Sequence, residues 1–221
     1  MGKKRLATFL SAVALCIAGS ALSPAIGSAQ DPILFVHGYV ESASLWNTMI
    51  ANFEKDGYPK SYLSAYSYNT SQSNKVDAEE VKSKVEALLK NTGATKVDIV
   101  AHSMGSLNSR WYIKFLGGES KVDDWVSLGG PNHGTETANF CFSTSCTEMR
   151  VGSKFLSELN ATDETPGAVN YGTWWSPCDE IINPDSSVAL SGATNTKTAC
   201  ISHTALTTDS TVYAQVREFV K

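Results

Sequence analysis

The chain has 221 residues, a formal net charge of −4 and 42% hydrophobic residues, which is enough material for one domain with a full hydrophobic core. Its acidic balance and the lack of a basic patch in the sequence argue against nucleic acid as a partner.

The first 29 residues are typical of a secretory signal peptide. Residues 3–5 are positively charged, residues 6–26 are mostly apolar, and residues 27–29 supply the small side chains that precede a cleavage site. We therefore expect residues 1–29 to be removed and residues 30–221 to form one secreted domain. A membrane anchor is disfavoured because Gly19 and Pro24 interrupt the apolar run, and a lipid-modified Cys16 because Leu15 is too large before it.

Buried strands and amphipathic helices alternate along the rest of the chain. Short apolar runs predict strands and apolar residues at helical spacing predict helices; residues 131–165 look mostly irregular. In chain order, we expect strands at 33–36, 62–68, 97–101, 122–128, 167–175 and 198–201, and helices at 75–90, 107–115, 153–159 and 207–220. This order predicts a mainly parallel sheet with helices on both faces, and a ligand site beyond the carboxyl ends of its strands.

Four cysteines follow the expected cleavage site, and an even number in a secreted chain predicts two disulfides. Of the three pairings, we prefer Cys141–Cys146, which closes a short loop, together with Cys178–Cys200. Zinc binding by cysteine and histidine is the competing interpretation. The sequence lacks C-x-x-C and H-x-x-x-H spacing, so we expect no metal site.

A strand that turns at once into a helix surrounds Ser103. Residues 97–105 read Val-Asp-Ile-Val-Ala-His-Ser-Met-Gly, which matches the strand–turn–helix context of a nucleophile elbow. The strained turn needs small residues two before and two after the serine, and Ala101 and Gly105 satisfy that need. We therefore predict that Ser103 is a nucleophile; the alternative is a chance serine in a strand-to-helix loop.

Two backbone amides are predicted to bind the oxyanion that such a nucleophile would generate. The Met104 amide starts the helix after the turn, and the helix dipole favours negative charge there. The second donor should come from the loop after the first strand, where Tyr39 is the candidate and Gly38 permits the backbone turn.

Four histidines compete for the role of general base. Chain order in this type of site places the base after the nucleophile and the acid, and His203 meets that requirement. His133 is the alternative, either lining the cleft or ordering its own loop. His37 comes too early and should be structural, whereas the His102 side chain should point away from the Ser103 hydroxyl.

Asp179 is the predicted acid that orients the histidine and stabilises its charged form. Glu180 and Asp185 are alternatives, although Asp185 fits turn chemistry. A Cys178–Cys200 bridge would join the loops that carry Asp179 and His203 and hold the two side chains in register.

Together these segments resemble the small secreted bacterial lipases of the α/β-hydrolase superfamily, the class 2 triacylglycerol lipases of the Bacillus and actinomycete kind. The matching stretches are residues 33–39, 97–105, 128–135 and 174–203. Ala-His-Ser-Met-Gly is a feature of the Bacillus members, whereas the four cysteines look more like those of the actinomycete relatives.

The resemblance implies a minimal α/β-hydrolase fold with little or no lid. It also implies a Ser103, Asp179 and His203 triad, an oxyanion hole from Tyr39 and Met104, and hydrolysis of carboxylic esters without a cofactor. We expect an ester or lipid substrate, transient contact with a lipid interface, and a monomer.

Aromatic residues near the motifs suggest an apolar acyl cleft, namely Tyr39, Trp46, Trp174 and Trp175, although core packing is favoured for Trp46 and Trp111. Three other functions remain open: a secreted acyltransferase or amidase, a cutinase-like polyester hydrolase, and a non-catalytic binding protein on the same scaffold.

Overall fold

Six parallel strands form a single sheet in a computed structural model that describes residues 1–2 and 30–221. The spatial order is β2-β1-β3-β4-β5-β6, and every neighbouring pair is parallel. The strands are β1 (Ile33–Val36), β2 (Leu63–Ala65), β3 (Val97–His102), β4 (Val122–Leu128), β5 (Asn170–Trp175) and β6 (Thr194–Lys197). Apart from Met1 and Gly2, the predicted signal peptide lies outside the described residues.

Within residues 30–221, six α-helices connect and flank the strands. They are α1 (Asn47–Lys55), α2 (Asn74–Thr92), α3 (Gly105–Phe115), α4 (Thr144–Met149), α5 (Lys154–Leu159) and α6 (Ser210–Phe219). None of these helices is long and apolar enough to cross a bilayer.

The helices cover both faces of the sheet. Apolar residues of α2 and α3 pack in one core with β3 and β4, and those of α1 and α6 pack in a second core on the opposite face. Every residue of β1 and β3 is buried, as expected for strands covered on both sides. The predicted parallel sheet with helices on both faces is therefore confirmed.

The last strand differs from the prediction. We expected it at residues 198–201, but β6 is Thr194–Lys197, whose residues are mostly exposed. This strand lies at the edge of the sheet and pairs only with β5. An exposed edge strand needs no apolar run, so hydrophobic patterning does not reveal it.

Other element boundaries also shift. The second strand, expected at 62–68, is shorter and spans only Leu63–Ala65, and the fifth begins at Asn170, three residues later than expected. Helices α1 and α4 were not predicted, and α6 begins at Ser210 after a separate 3-10 turn at Thr204–Thr207.

Both expected disulfides, Cys141–Cys146 and Cys178–Cys200, are formed. The first joins the end of a 3-10 turn at Glu136–Phe140 to α4. The second joins the loops that follow β5 and β6, at the carboxyl ends of those strands. It therefore constrains the edge of the sheet where the candidate site lies.

Candidate active site

Ser103 occupies the sharp turn between β3 and α3. Its φ is 52°, a left-handed conformation that non-glycine residues rarely adopt. The turn brings α3 close to the end of β1. A Cβ atom on Gly105 would lie 2.5 Å from the Val36 carbonyl oxygen and 2.6 Å from that of His37, so a side chain there would collide with backbone.

Asp179 and His203 meet at the same edge of the sheet. Nδ1 of His203 lies 2.8 Å from Oδ2 of Asp179, and the two side chains are 6% and 1% exposed, respectively. The other carboxylate oxygen of Asp179 accepts the amides of Ile181 and Ile182, each at 2.9 Å. The acid is thus fixed by its own loop and bonded to one nitrogen of the ring.

Among the described residues, the Nε2 atom of His203 is buried and has no hydrogen-bond partner. No hydrogen bond therefore joins it to the Ser103 hydroxyl in this structure, although His203 and Ser103 both line one cavity. When Nδ1–H donates to Asp179, Nε2 carries the lone pair.

Burial and hydrogen bonding shift the pKa values of this pair. Burial lowers the pKa of His203 and outweighs the hydrogen bond to Asp179, which raises it. Burial opposes ionisation of Asp179, yet the hydrogen bond with His203, the charge of His203 and the two amides together hold its pKa below the usual range. This pair is therefore set as a neutral imidazole beside a carboxylate.

The Tyr39 amide is free of internal acceptors in the described part of the chain. On either side of it, Gly38 N–H donates to Glu41 at 2.7 Å and Val40 N–H donates to Thr70 at 3.2 Å. A Cβ atom on Gly38 would lie 2.6 Å from Ser103 Cβ, so glycine lets this loop approach the serine closely.

The Met104 amide lies directly after Ser103, at the start of α3. Within residues 30–221 it donates no hydrogen bond to a backbone or side-chain acceptor. Tyr39 and Met104 thus supply two unused N–H donors on the two segments that meet at Ser103.

A cavity of about 390 Å³ opens over the serine turn. Ser103, His203 and Tyr39 line it together with a mostly apolar wall, made of Val40, Ala138, Phe140, Met149, Ile181 and Ile182. Phe140 and its neighbour Phe142 are 85% and 87% exposed. The cavity can accept an apolar group, and its rim presents apolar side chains to solvent.

The other histidines lie elsewhere. His133 contacts Glu164 at 2.7 Å and the Ser187 carbonyl at 3.2 Å, so it orders its loop and does not line the cavity. Nδ1 of His37 lies 2.9 Å from the Gly38 carbonyl, and the His37 ring stacks on Tyr68.

The alternative acids are also placed away from the ring nitrogens of His203. Glu180 accepts the backbone N–H of His203 at 3.1 Å. Asp185 begins a 3-10 turn at Asp185–Val188, in keeping with its turn chemistry.

Core packing, the favoured interpretation for Trp46 and Trp111, is confirmed, whereas the suggestion that Trp174 and Trp175 line an acyl cleft is wrong. Of the four aromatic candidates, only Tyr39 lines the cavity. Trp46 and Trp174 are 0% and 2% exposed and belong to one hydrophobic core, and Trp111 is 6% exposed within the other. Trp175 ends β5 and is absent from the cavity wall. The apolar wall comes instead from residues 135–149 and 181–182.

Sequence reasoning missed Glu41 at this site. Its carboxylate lies 3.0 Å from Nδ1 of His102, and Nε2 of His102 lies 3.2 Å from the His203 carbonyl oxygen. The His102 side chain is thus engaged by two partners that neighbour the site. The only sequence signal was an acidic residue in the loop after β1.

No group of three or more histidine, cysteine, aspartate or glutamate side chains within the described chain is arranged to hold a metal ion.

Several curated proteins match part of this chain in sequence. A triacylglycerol lipase of Pseudarthrobacter phenanthrenivorans is 25% identical over 115 residues, which are 49% of this chain and 35% of that protein. The phospholipid:diacylglycerol acyltransferase 1 of Arabidopsis thaliana is 28% identical over 128 residues, which are 55% of this chain and 17% of that protein. The matches thus span about a sixth to a third of the length of these curated relatives.

The fold is that of a minimal α/β-hydrolase. The crystal structure of the Bacillus licheniformis lipase BlEst2 in its mature form superimposes with a TM-score of 0.78 at 19% identity, covering 88% of this chain and 94% of that one.

The sequence model of the family described as lipase (class 2) matches residues 30–218, nearly all of the described chain. The chain therefore belongs to the class 2 lipases.

Proposed function

We propose that this protein is a secreted serine hydrolase that cleaves carboxylic esters, with triacylglycerols or shorter acyl esters as substrates. The single observation that carries the proposal is the arrangement of His203. Its Nδ1 is bonded to Asp179, while its unpaired, buried Nε2 belongs to a ring that shares the cavity with Ser103.

The proposed reaction is a two-step acyl transfer. Nε2 of His203 takes the proton of the Ser103 hydroxyl as that oxygen attacks the ester carbonyl. Asp179 stabilises the imidazolium that forms. The Tyr39 and Met104 amides donate to the oxyanion.

The first step ends when the tetrahedral intermediate collapses. The bond to the alcohol oxygen breaks, and the proton held by His203 passes to the departing alcohol, leaving an acyl group on Ser103. In the second step, His203 removes a proton from water, which attacks the acyl carbonyl. The proton then returns to the Ser103 oxygen as the carboxylic acid leaves.

The shape and chemistry of the cavity support an ester with an apolar acyl chain. Its wall is mostly apolar, and a cavity of about 390 Å³ lies within the range that holds small ligands. The exposed Phe140 and Phe142 at the rim suit transient contact with a lipid surface.

Secretion is supported by two features. The two disulfides are typical of proteins in oxidising compartments, and residues 1–29 have the composition of a signal peptide. We further propose that the mature enzyme is monomeric and needs no cofactor.

Acyl transfer to an alcohol is the second candidate function, because one curated relative is an acyltransferase. The two functions share the acyl-enzyme and differ only in the acceptor. Product analysis with water and with a lipid alcohol as competing acceptors separates them: hydrolysis predicts free fatty acid, whereas transferase activity predicts the new ester.

Two measurements test the proposal. The first is labelling by a fluorophosphonate probe, and the second is hydrolysis of a panel of p-nitrophenyl esters from C2 to C16 and of an emulsified triglyceride. The wild-type protein should react with the probe and hydrolyse esters. Ser103→Ala should abolish both while the circular dichroism spectrum and melting temperature remain close to wild type. Ser44→Ala, a change at an exposed serine, is the matched control and should behave like wild type. Ester hydrolysis retained by Ser103→Ala would overturn the assignment.

A further inference from the structure

Glu41 and His102 form a series of hydrogen-bond contacts across the candidate site. The series connects the loop that carries Tyr39 to the backbone of His203. Oε2 of Glu41 accepts the Gly38 amide at 2.7 Å and lies 3.0 Å from Nδ1 of His102. Nε2 of His102 lies 3.2 Å from the carbonyl oxygen of His203. This chain of contacts therefore runs from the loop that carries the Tyr39 amide to the backbone of His203.

Glu41 is the acceptor at one end of this chain of contacts. Its Oε2 accepts the Gly38 amide, and the same oxygen lies within hydrogen-bond distance of the His102 ring. Burial opposes ionisation of Glu41, but the His102 hydrogen bond and charge and the Gly38 amide outweigh it and lower the pKa of Glu41. The carboxylate form, which can accept from both groups, is therefore favoured.

Burial makes this arrangement sensitive to the loss of either partner. The His102 side chain is 0% exposed and that of Glu41 is 20% exposed. Removal of one member of a buried pair leaves the other without compensation, which is costly. The two side chains thus hold each other, and with them the Gly38 amide and the His203 carbonyl.

The ring of His102 also contacts the proposed base directly. The centroids of the His102 and His203 rings are 4.5 Å apart. Burial is the main cause that lowers the pKa of His203, and the neighbouring His102 ring adds to it electrostatically. His203 is thereby kept in the neutral form that a base requires.

We infer that Glu41 and His102 are positioning residues, which fasten the Tyr39 loop to the backbone of His203 through the hydrogen-bonded His102 ring. The inference rests on the proposed function, since it assigns the pair a task in the Ser103 reaction. The titratable groups that interact electrostatically with the pair are His37, from the loop after β1, and His203; Asp179 and Glu180, from the loop after β5, contact His203.

The first test measures hydrogen exchange of the Gly38 amide by NMR of the ¹⁵N-labelled protein, without substrate. We expect this amide to be protected in the wild type, where it donates to Glu41, and to lose that protection in folded Glu41→Ala. An equally protected Gly38 amide in Glu41→Ala would overturn the inference. This measurement needs no enzymatic activity, so it decides the point even when the wild-type protein hydrolyses no ester.

The second test measures kcat and KM on a soluble ester. Displacing reacting groups by about 1 Å can reduce a rate by about 100-fold, so we expect Glu41→Ala to lower kcat by roughly 10- to 100-fold with little change in KM. Glu41→Gln keeps an acceptor for the Gly38 amide and should recover part of that loss. It also covers the case in which the alanine variant fails to fold.

Variants of His102 separate its two bonds. Asparagine places an amide near the position of Nδ1 and glutamine near that of Nε2, so each preserves one bond only. We expect both to lower kcat, and His102→Gln to move the acid limb of the kcat/KM profile to higher pH, because the electrostatic contribution of His102 that lowers the pKa of His203 is lost.

His133→Gln is the matched control for these variants. His133 also contacts a carboxylate and a carbonyl, but outside the cavity, so its replacement should leave kcat unchanged. Wild-type kinetics in folded Glu41→Ala and His102→Gln, alongside an active wild-type enzyme, would overturn the inference without touching the proposed function.

Discussion

Nδ1 of His203 and Oδ2 of Asp179 are 2.8 Å apart although 24 positions separate the two residues in the sequence. The disulfide Cys178–Cys200 joins the two loops beside them, with Cys178 directly before Asp179. The amides of Ile181 and Ile182 hold the other carboxylate oxygen. Backbone and covalent constraints thus position the acid before any substrate arrives.

Replacing Asp179 with asparagine should lower kcat by about 10⁴-fold, a loss known from the aspartate of a serine protease triad. The amide can present N–H to Nδ1 of His203, which favours the tautomer with the proton on Nε2 and removes the lone pair that the serine needs. Stopped-flow or steady-state measurements of the rate of p-nitrophenyl butyrate hydrolysis check this expectation.

Asp185→Asn is the matched control, because Asp185 lies in a 3-10 turn away from His203. Its activity should stay near that of wild type. If Asp185→Asn lost activity while Asp179→Asn kept it, the acid would have to be reassigned.

The pH dependence of kcat/KM should reflect the burial of His203. Burial lowers the pKa of this imidazole more than its bond to Asp179 raises it. As the pH falls, protonation of the free enzyme removes the base, so activity should decline through a midpoint below the ordinary histidine value of 6.5.

Nearby groups act on the pKa of His203 in both directions. Asp179 and Glu41 raise it, whereas His102 lowers it. A pH–rate profile of the wild type from pH 4 to 9 checks the direction. A midpoint above the ordinary histidine value would show that the charge of Asp179, and not burial, dominates the environment of the ring.

The two disulfides should differ in their contribution to stability. Their cysteines are 22 and 5 positions apart. In the chain-entropy account the longer loop confers about 3 kcal/mol and the shorter about 2 kcal/mol.

We therefore expect the double variant Cys178→Ala/Cys200→Ala to lose more unfolding free energy in urea than Cys141→Ala/Cys146→Ala. The kcat of Cys178→Ala/Cys200→Ala should also fall, because the loops that carry Asp179 and His203 are no longer joined. Equal losses of unfolding free energy in the two double variants would indicate that loop length does not determine how much each disulfide contributes to stability.

The sharp turn at Ser103 was predictable because its physical requirements are local. A strand entering a strained turn needs small neighbours, and Ala101 and Gly105 lie two positions before and two positions after Ser103. The buried strands were predictable for a similar reason, since strands covered on both faces must be continuously apolar.

Features that depend on distant contacts were not predictable. Strand β6 is polar and exposed, and only its pairing with β5 defines it. Glu41 and His102 are 61 positions apart, and no spacing rule links them. Helix α1 is an intermediate case, because Met49 and Phe53 are buried at a spacing of four, although the segment is short and otherwise polar.

The buried carboxylate of Asp124, in strand β4, should reduce the stability of the fold at neutral pH. Burial raises the pKa of Asp124 to about 6, above the value of 3.8 for an unperturbed aspartate. The folded state therefore binds more protons between these two values, and stability falls as the pH rises through that window.

Asp124→Asn removes this penalty and keeps an acceptor for the Asn170 amide, which donates to Asp124 at 2.9 Å. We expect it to raise the unfolding free energy at pH 8 by about 1–3 kcal/mol, with the gain vanishing below about pH 4.

The neighbouring Asp123→Asn is the matched control for this effect. Asp123 is exposed and pairs with Lys96 at 3.4 Å, so its loss should change stability by less than about 1 kcal/mol at either pH. Urea unfolding at pH 4 and pH 8 provides the comparison. A destabilised Asp124→Asn at pH 8 would mean that the carboxylate charge is compensated in the folded state.

Phe142, an exposed side chain close in sequence to the cavity-lining Phe140 and Cys141, should matter for aggregated substrates and not for dissolved ones. Phe140 and Phe142 are 85% and 87% exposed and flank Cys141, whose bridge to Cys146 holds that segment. Burying such side chains in a lipid surface is favourable by roughly 1.5–3 kcal/mol each.

Phe142→Ser should therefore reduce hydrolysis of an emulsified triglyceride by about 10-fold or more while hydrolysis of a soluble C4 ester stays within about twofold of wild type. Phe115→Ser, at the end of α3 and 42% exposed, is the matched control and should affect neither substrate. Equal losses on both substrates would instead show that Phe142 acts on the bound acyl chain, because a surface contact cannot influence an ester that is already in solution.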